Sequence, residues 1–194
     1  MRSNPNAKSS ILKSRILTAS SEETDYPASN LLVPKKGNKC WQCKRFCTFP
    51  QELIFAFPQP SQISSMQLLS HQSKISSKID IYVSRPDSAN FTNDISGIQF
   101  KKIGYFMLSS NEKSNYQSRE LKTVYIDSPC NFIKLVLHKP HTNAVNLFYQ
   151  IGVIAVIFFG SPLPNFFNQN NKYNTNTFNI NTGMQAMSRP SSIL

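Results

Sequence analysis

Glycine, cysteine and long apolar segments are all scarce in this chain of 194 residues. Its six glycines are scattered and form no phosphate-binding loop, which argues against a nucleotide site of that kind. The longest apolar run, residues 151–159, is less than half of the about 20 residues that a membrane-spanning helix needs. Four cysteines without a recognisable secretory signal indicate a reducing compartment. The sequence therefore predicts no membrane span and a location in the cytoplasm.

Acidic residues are also scarce, and the resulting positive charge is concentrated near the start of the chain. Ten Asp and Glu residues oppose 21 Lys and Arg residues, which gives a net charge of +11. Residues 1–47 contain nine of the basic residues and three of the acidic ones, a net charge of +6. Such a segment favours acidic partners, among them nucleic acid, anionic lipid or the acidic tails of tubulin. It is equally compatible with a solvated arm that binds nothing.

Alternating apolar residues indicate β-strands through the middle of the chain. In residues 63–83, apolar side chains recur at every second position in two short runs, which is typical of half-buried strands. We expect these two runs to pair and to form the middle of an antiparallel sheet. Long polar connections favour a two-sheet jelly roll over a simple meander. Eight strands are predicted, near residues 15–19, 52–57, 63–69, 78–84, 100–108, 121–126, 132–138 and 151–159.

The predicted fold class is all-β, an eight-stranded antiparallel jelly-roll β-sandwich that occupies residues 15–160. We expect residues 1–14 to be a disordered basic arm and residues 161–194 to be an Asn-rich linker or tail. Pro58 and Pro60 are expected to end the strand at 52–57, and a turn is expected at 127–131. The side chains predicted to face inward are Leu53 or Ile54, Leu68, Ile79, Ile81, Leu135, Leu137, Ile154 and Val156.

The residue types that most often bind metals or catalyse reactions form no recognisable pattern here. Cys40, Cys43 and Cys47 have C-x2-C-x3-C spacing, but a zinc site needs four ligands and a second C-x2-C pair is absent. The three histidines are accompanied by no Ser-His-Asp or paired-carboxylate arrangement. We therefore expect no bound metal, no cofactor and no enzymatic activity.

Four sequence segments, taken in order, form a more specific pattern. They are RFCTFPQELI (45–54), MQLLSHQSKISSKIDIYV (66–83), IGYFMLSSNEKSNYQSRELKTVYID (103–127) and FIKLVLHKPHTNAVNLFYQIGVIAVIFFG (132–160). The third is the most specific, because its Asn-Glu-Lys followed by Ser-Arg-Glu-Leu-Lys is hard to meet by chance. In this order the segments resemble the N-terminal jelly-roll domain of the centrosomal protein of 104 kDa family. The fourth segment departs from the family around residues 144–148.

The resemblance implies a galactose-binding-like or discoidin-like fold in a protein of the cytoskeleton, at the ciliary tip or at the centriole and basal body. It implies a non-catalytic interaction module of a microtubule-associated protein. Ciliary or centriolar proteins, tubulin and microtubules are then the candidate partners, and nucleic acid is not. Family members continue into coiled coil, a tubulin-binding TOG domain and zinc-binding fingers, whose roles are not carried over to this chain.

An alternative function is a discoidin-like module that binds a carbohydrate or a lipid headgroup. A sugar site usually needs an exposed aromatic ring beside polar donors. Two pairs of neighbouring residues meet that requirement in the sequence, Trp41 with Gln42 and Tyr116 with Asn115.

A basic segment with interleaved aromatic residues is the expected protein-interaction surface. Its positive charge complements an acidic partner, and the aromatic side chains of Trp41 and Phe46 within it serve as anchors. For the arginine in this segment the alternative is a structural ion pair with Glu52 or Glu120 of the same domain. The residues predicted to form the surface are Lys35, Lys36, Lys39, Trp41, Lys44 and Arg45.

Overall fold

β-Strands make up nearly all of the regular structure in the residues that the computed structural model describes, 9–32, 40–84 and 97–163. Two short 3-10 helices, Ala28–Leu32 and Glu112–Ser114, accompany them. Within these ranges no helix is long and apolar enough to cross a membrane. The predicted all-β class is confirmed. The strands are β1 (Ser10–Leu12), β2 (Arg15–Ala19), β3 (Trp41–Gln42), β4 (Gln51–Ser70), β5 (Lys78–Ser84), β6 (Phe100–Met107), β7 (Leu121–Leu137) and β8 (Gly152–Pro162).

The two longest strands, β4 and β7, each contribute to both layers of the fold. The strand order is β1-β8-β4-β7-β5-β6, with β2 added to β4 and β3 added to β8, and every pairing is antiparallel. The first half of β4 pairs with β2 and with the second half of β7, whereas its second half pairs with β8 and with the first half of β7. Layer one therefore contains β2, β4, β7, β5 and β6, and layer two contains β7, β4, β8, β1 and β3. The predicted antiparallel sandwich is confirmed.

The two layers meet over an apolar core that includes aromatic rings from both. Phe55 and Phe57, on the first half of β4, contact Phe158 of β8 edge-on, with ring centroids 5.1 and 5.2 Å apart. Ile154 was predicted to face this core, but it is only half-buried because it lies at a register shift between β4 and β8. The other predicted inward-facing residues are buried, with Ile54 in a small separate cluster: Leu53, Ile54, Leu68, Ile79, Ile81, Leu135, Leu137 and Val156.

The prediction that the two alternating runs of residues 63–83 form a central pair is wrong. The first run belongs to the second half of β4, and the second run is β5. β7 lies between them, and β5 pairs with β6 and β7 instead. Alternation identifies a strand with one buried face, but it carries no information about which strand lies beside it.

Two predicted interruptions are also wrong, because β4 and β7 continue through them. Pro58 and Pro60 lie inside β4, at the register shift that follows Ala56. The ladder with β7 is interrupted at this shift, so the missing proline N–H groups leave no bond unmade. The turn expected at 127–131 is instead part of β7, where Asp127 adopts a positive φ of 44°.

Along the chain, the sandwich begins before its predicted first residue, 15, and ends after its predicted last residue, 160. β1 (Ser10–Leu12) pairs with residues 158–160 of β8, although it falls in the predicted disordered arm. β8 runs on to Pro162. β3 was not predicted, because a strand of two residues is too short to show alternation. Residues 1–8 of the arm and the tail from residue 164 lie outside the described residues.

Long connections emerge together from one end of the sandwich, which we call the loop end. β4 begins and ends there, because it passes from one layer to the other at its midpoint. The pairs Gln51–Leu137 in layer one and Leu69–Leu121 in layer two mark this end. Backbone hydrogen bonds, such as that from Cys43 to the Ile151 carbonyl at 3.0 Å, join the connections to one another. Within the described residues the connections are 20–32, 40–50, 71–77, 108–120 and 138–151.

Candidate protein-interaction surface

Two neighbouring loops at the loop end, residues 43–50 and 143–151, bring two phenylalanines together. The Phe46 N–H donates to the Phe148 carbonyl at 2.9 Å, and the two rings meet edge-on with centroids 6.0 Å apart. Phe46 has a φ of 52°, a left-handed conformation that is uncommon for residues other than glycine. The Phe46 side chain is exposed on this left-handed backbone.

The loop that contains Phe148 exposes two further apolar side chains. Phe46 is 70% exposed, Leu147 74%, Val145 55% and Phe148 39%. Two exposed cations adjoin them in the same loop. Apolar side chains grouped in this way at a surface, with charges at the rim, are typical of protein-binding sites. We call this group the loop-end patch: Lys44, Arg45, Phe46, Val145, Leu147 and Phe148.

Arg45 links the charged and apolar parts of the loop-end patch. Its guanidinium lies over the Phe148 ring, 4.3 Å from the centroid. Its Nε is 3.8 Å from Glu23 Oε1, which also accepts the Arg45 backbone N–H at 3.0 Å. The ion pairs anticipated with Glu52 or Glu120 are therefore wrong, since those carboxylates pair with lysines of their own layers. The expectation that Arg45 contacts its own domain is correct, but its partners are Glu23 and Phe148.

Asparagine and glutamine side chains hold the second loop of the patch in place. Asn143 Oδ1 accepts the backbone N–H groups of Val145 and Asn146 at 3.1 and 2.9 Å. Asn146 exchanges two hydrogen bonds with the Gln150 backbone, at 2.9 and 3.0 Å. The Gln150 amide in turn donates to the Cys43 carbonyl at 2.7 Å, which connects the two loops. The apolar residues are therefore displayed on an ordered turn.

The structure removes Trp41 from the predicted interaction surface. Its side chain is fully buried in the core, and its Nε1–H donates to the Ser21 carbonyl at 3.2 Å. Gln42 is buried as well, so this pair cannot serve as an exposed plate for a sugar. Lys44 and Arg45 are exposed as predicted. The predicted residues Lys35, Lys36 and Lys39 lie outside the described residues.

Cys40, Cys43 and Cys130 lie where burial holds their thiols in the protonated form. Burial raises the pKa of Cys43 to about 12, although the Ile151 N–H donates to its Sγ at 3.0 Å. Burial also raises the pKa of Cys40, and it raises that of Cys130 to about 12. Metal binding needs thiolates. In the described ranges no group of three or more His, Cys, Asp or Glu side chains could hold a metal ion.

Each histidine side chain makes a hydrogen bond within the domain. His71 Nδ1 accepts the backbone N–H groups two and three residues further on, and burial together with the nearby Lys74 lowers the pKa of His71 to about 4. His141 Nε2 donates to the Leu108 carbonyl at 2.9 Å. His138 pairs with a carboxylate at the same distance. These are the bonds of structural histidines. Ser73 Oγ also lies 3.4 Å from His71 Nδ1, but no carboxylate among the described residues is hydrogen-bonded to the His71 ring, so the Ser-His-Asp arrangement of a catalytic triad is not formed there.

A second charged cluster is centred on Asp80, on the outer face of layer one. Its Oδ2 accepts hydrogen bonds from Lys102 and His138, each at 2.9 Å, and its Oδ1 lies 3.3 Å from Lys78 Nζ. Burial by itself raises the pKa of Asp80, but the hydrogen bonds from His138, Lys102 and Lys78 outweigh it and lower the pKa to about 2. Asp80 is therefore ionised at neutral pH, and its carboxylate interacts with the side chains of Lys78, Lys102 and His138.

A shallow cavity of about 340 Å³ opens beside this cluster at the loop end. Its lining combines apolar rings with basic groups and contains no carboxylate. It has room for a small anionic group. The lining residues are Phe49, Pro50, Ser77, Lys78, His138 and Lys139.

Of the apolar half of the loop-end patch, only Phe46 was identified from the sequence. The residues Val145, Leu147 and Phe148 lie in the segment 144–148, where the chain departs from the resembling family. Three large apolar residues in a stretch between strands are a usable signal, because loops that contact only water seldom contain them. The Asp80 cluster had no such signal, because it depends on pairing between three different strands.

Comparison with known families assigns most of the chain to one of them. Residues 40–160 match the family described as "Centrosomal protein CEP104, N-terminal domain". The human centrosomal protein of 104 kDa is 35% identical over 147 residues, and the mouse protein is 32% identical over 147 residues. Each alignment covers 76% of this chain. The chain spans about one sixth of the length of these relatives, 16% in both cases.

Solved structures with the same fold include carbohydrate-binding and repair proteins. The family 32 carbohydrate-binding module of C. perfringens NanJ, solved with galactose, has a TM-score of 0.57 and 17% identity over 78% of this chain and 98% of its own. Reduced XRCC1 bound to the DNA polymerase β catalytic domain has a TM-score of 0.58 and 15% identity, over 79% and 100%. At these identities the likeness shows the fold alone. The predicted galactose-binding-like sandwich is confirmed.

Proposed function

This chain belongs to the CEP104 N-terminal domain family, and from that premise we propose that it is a non-catalytic interaction module of a ciliary-tip or centriolar microtubule-associated protein. The named relatives are centrosomal proteins, which agrees with the cytoskeletal location expected from the sequence. The engagement of all three histidines within the domain supports a role without catalysis.

The loop-end patch is the observation that supports this proposal most. Phe46 and Leu147 are each at least 70% exposed, although burying apolar surface is favourable by about 25 cal/mol per Å². A partner that covers them recovers this free energy. The turn that presents them is already ordered by Asn143 and Asn146, so that little entropy is lost on binding.

The charges at the patch define the chemistry of the partner. Lys44 and Arg45 provide positive charge beside the apolar side chains, and Arg45 is only partly neutralised by Glu23. A partner with carboxylates around an apolar residue complements this arrangement. We include Lys35, Lys36 and Lys39 in the proposed surface, since they precede it in the chain. The acidic surface of a microtubule or of a ciliary or centriolar protein is the proposed target.

Co-pelleting of the purified chain with microtubules tests the proposal. We expect the wild-type chain to pellet at low salt, and less of it to pellet near physiological salt, where the Debye length is about 8 Å. Phe46→Ser and Lys44→Glu should each reduce the pelleted fraction severalfold. Lys13→Glu is the matched control, because Lys13 is also exposed but lies at the other end of the sandwich. Melting temperatures should be unchanged by all three substitutions, because the sites are exposed.

Two outcomes would contradict this proposal. If Lys13→Glu reduces pelleting as much as Lys44→Glu does, binding depends only on net charge and the patch is not the site. If the chain binds a glycan or lipid array and does not pellet, the carbohydrate- or headgroup-binding alternative replaces the proposed function.

A further inference from the structure

The cavity at the loop end has one basic wall and one apolar wall. The basic wall is formed by Lys78 at the start of β5 and by His138 and Lys139, which directly follow β7. The apolar wall is formed by Phe49 and Pro50, in the loop that precedes β4. The two walls therefore suit a ligand in which an anionic group is joined to an apolar group.

The charge at the basic wall matches that of a phosphate monoester. Asp80 lies behind the wall with its side chain only 6% exposed, and it pairs with both Lys78 and Lys102. Lys139 is exposed and forms none of the ion pairs found in the described part of the chain. Three lysines and one carboxylate leave two positive charges. A phosphate monoester, with a charge of about −1.5 to −2 near pH 7, balances them, whereas a carboxylate balances only one.

Hydrogen bonds within the domain hold the basic wall in place. The Ser77 N–H and hydroxyl both donate to the Lys139 carbonyl, at 3.0 and 2.8 Å. The His138 N–H donates to the Lys78 carbonyl at 3.0 Å, and the His138 ring donates through Nε2 to Asp80 at 2.9 Å. The backbone of the wall and the imidazole ring are therefore positioned by the fold, so that little conformational entropy is lost when a ligand binds.

The apolar wall indicates which group carries the phosphate. The Phe49 ring is packed edge-on against Tyr149, with centroids 5.6 Å apart, and Pro50 adds a second ring to the wall. Aromatic side chains pack favourably against such surfaces. The cavity volume of about 340 Å³ lies within the range of about 300–1,000 Å³ that is usual for small-molecule sites, so it can hold an aromatic ring together with its phosphate. We propose that this cavity binds the phosphorylated side chain of a tyrosine in a partner protein.

A protein partner fits the cavity better than a phospholipid surface does. Anionic membranes attract clusters of about four to eight Lys and Arg residues. The basic wall contains two lysines, in a concave site. Glu52, whose side chain is 40% exposed, lies only two residues from Pro50, and a membrane that covered the cavity would bring this carboxylate near the same anionic headgroups. A single phosphorylated side chain avoids that repulsion.

NMR titration of the isotope-labelled full chain with short synthetic peptides tests the proposal. We expect a peptide that contains one phosphotyrosine to shift the amide signals of Ser77, Lys78, His138 and Lys139 until they saturate, and to bind more weakly at higher salt. The same peptide with unmodified tyrosine or with glutamate at that position should give no saturating shift. The same peptide with phosphoserine should bind severalfold more weakly, because it has no ring to contact the apolar wall.

Two lysine substitutions separate this site from a general effect of charge. Lys139→Gln should weaken binding of the phosphotyrosine peptide severalfold. Lys101→Gln is the matched control, because Lys101 is also exposed and outside the ion pairs of the described residues, but it lies at the other end of layer one. Both variants should keep the wild-type melting temperature, since the two side chains are exposed.

Several results would overturn the proposal. Equal weakening by Lys139→Gln and Lys101→Gln would show that the peptide responds only to net charge. Equal binding of the glutamate or phosphoserine peptide would exclude a site for phosphotyrosine. Phosphatidylcholine vesicles that contain phosphatidylinositol phosphate provide the last comparison. If wild type sediments with them, Lys139→Gln does not, and the phosphotyrosine peptide gives no shifts, the cavity binds a lipid headgroup instead. Loss of microtubule pelleting does not bear on these results, since the loop-end patch and the cavity share no residue.

Discussion

Replacing Asp80 with Asn should destabilise the domain near pH 7 and have little effect near pH 2. The pKa of Asp80 is lowered from its ordinary value of 3.8 to about 2 in the folded domain. The ionised carboxylate therefore stabilises the fold at pH values well above 4. This contribution is lost as the pH falls from about 4 towards 2, where the carboxyl becomes protonated in both states.

The geometry of the Asp80 cluster sets how much unfolding free energy the Asp80→Asn substitution removes. A pKa lowered from 3.8 to about 2 corresponds to roughly 2 kcal/mol, at 1.36 kcal/mol for each pH unit. The Lys102 and His138 side chains are 42% and 37% exposed, so solvent screening reduces this figure to about 1 kcal/mol. For a domain of this size a loss of 1 kcal/mol lowers the melting temperature by about 2–4 °C.

Urea unfolding of the wild type and Asp80→Asn near pH 7 and near pH 2 measures this contribution. The difference in unfolding free energy should be about 1 kcal/mol near neutrality and should shrink towards zero in acid. Asp25→Asn is the control, because Asp25 is exposed and forms none of the ion pairs found among the described residues. An equal loss of stability at both pH values would show that the substitution disturbs packing, and the electrostatic account would then be refuted.

Three further predictions concern the core. Trp41→Ala should cost about 3–5 kcal/mol in urea unfolding, because Trp41 is fully buried; a stable variant would contradict its burial. Ile81→Asp should prevent folding, because an unpaired carboxylate in the core costs several kcal/mol, and an unchanged melting curve would show that Ile81 is not core. At neutral pH, iodoacetamide should label Cys43 and Cys130 only after unfolding, as followed by mass spectrometry, because burial keeps their thiols protonated. Rapid labelling of the folded chain, or bound zinc lost on mutating Cys40, Cys43 and Cys47, would contradict this prediction.

The strands were largely predictable because a half-buried strand has a local signature. β2, β5 and β6 match their predicted bounds within a residue, and the apolar residues that alternate in β5 are buried. Strand neighbours were not predictable in the same way. The pairing of β4 with β8 joins residues as far as 101 positions apart, as between Ser61 and Pro162, and nothing local in either segment specifies the other.

The candidate site was predictable in its charge and in one of its two expected aromatic anchors, Phe46. Lys44 and Arg45 are exposed in a basic loop, as the composition indicated. Which aromatic residue is exposed depends on the fold, however. Trp41 is buried because β3 pairs with β8 at the edge of the core, whereas Phe46 is exposed in the loop that follows β3. Both residues lie in one short segment, and the sequence does not distinguish them.

Imaging of the tagged chain in ciliated cells tests most directly whether the loop-end patch localises this domain to centrioles or ciliary tips. The account predicts that the wild-type chain and Lys13→Glu concentrate at centrioles or ciliary tips. It predicts that a Lys44→Glu, Phe46→Ser double variant, equally abundant and with an unchanged melting temperature, spreads through the cytoplasm. Equal enrichment of the double variant and the wild type at these structures would contradict the claim.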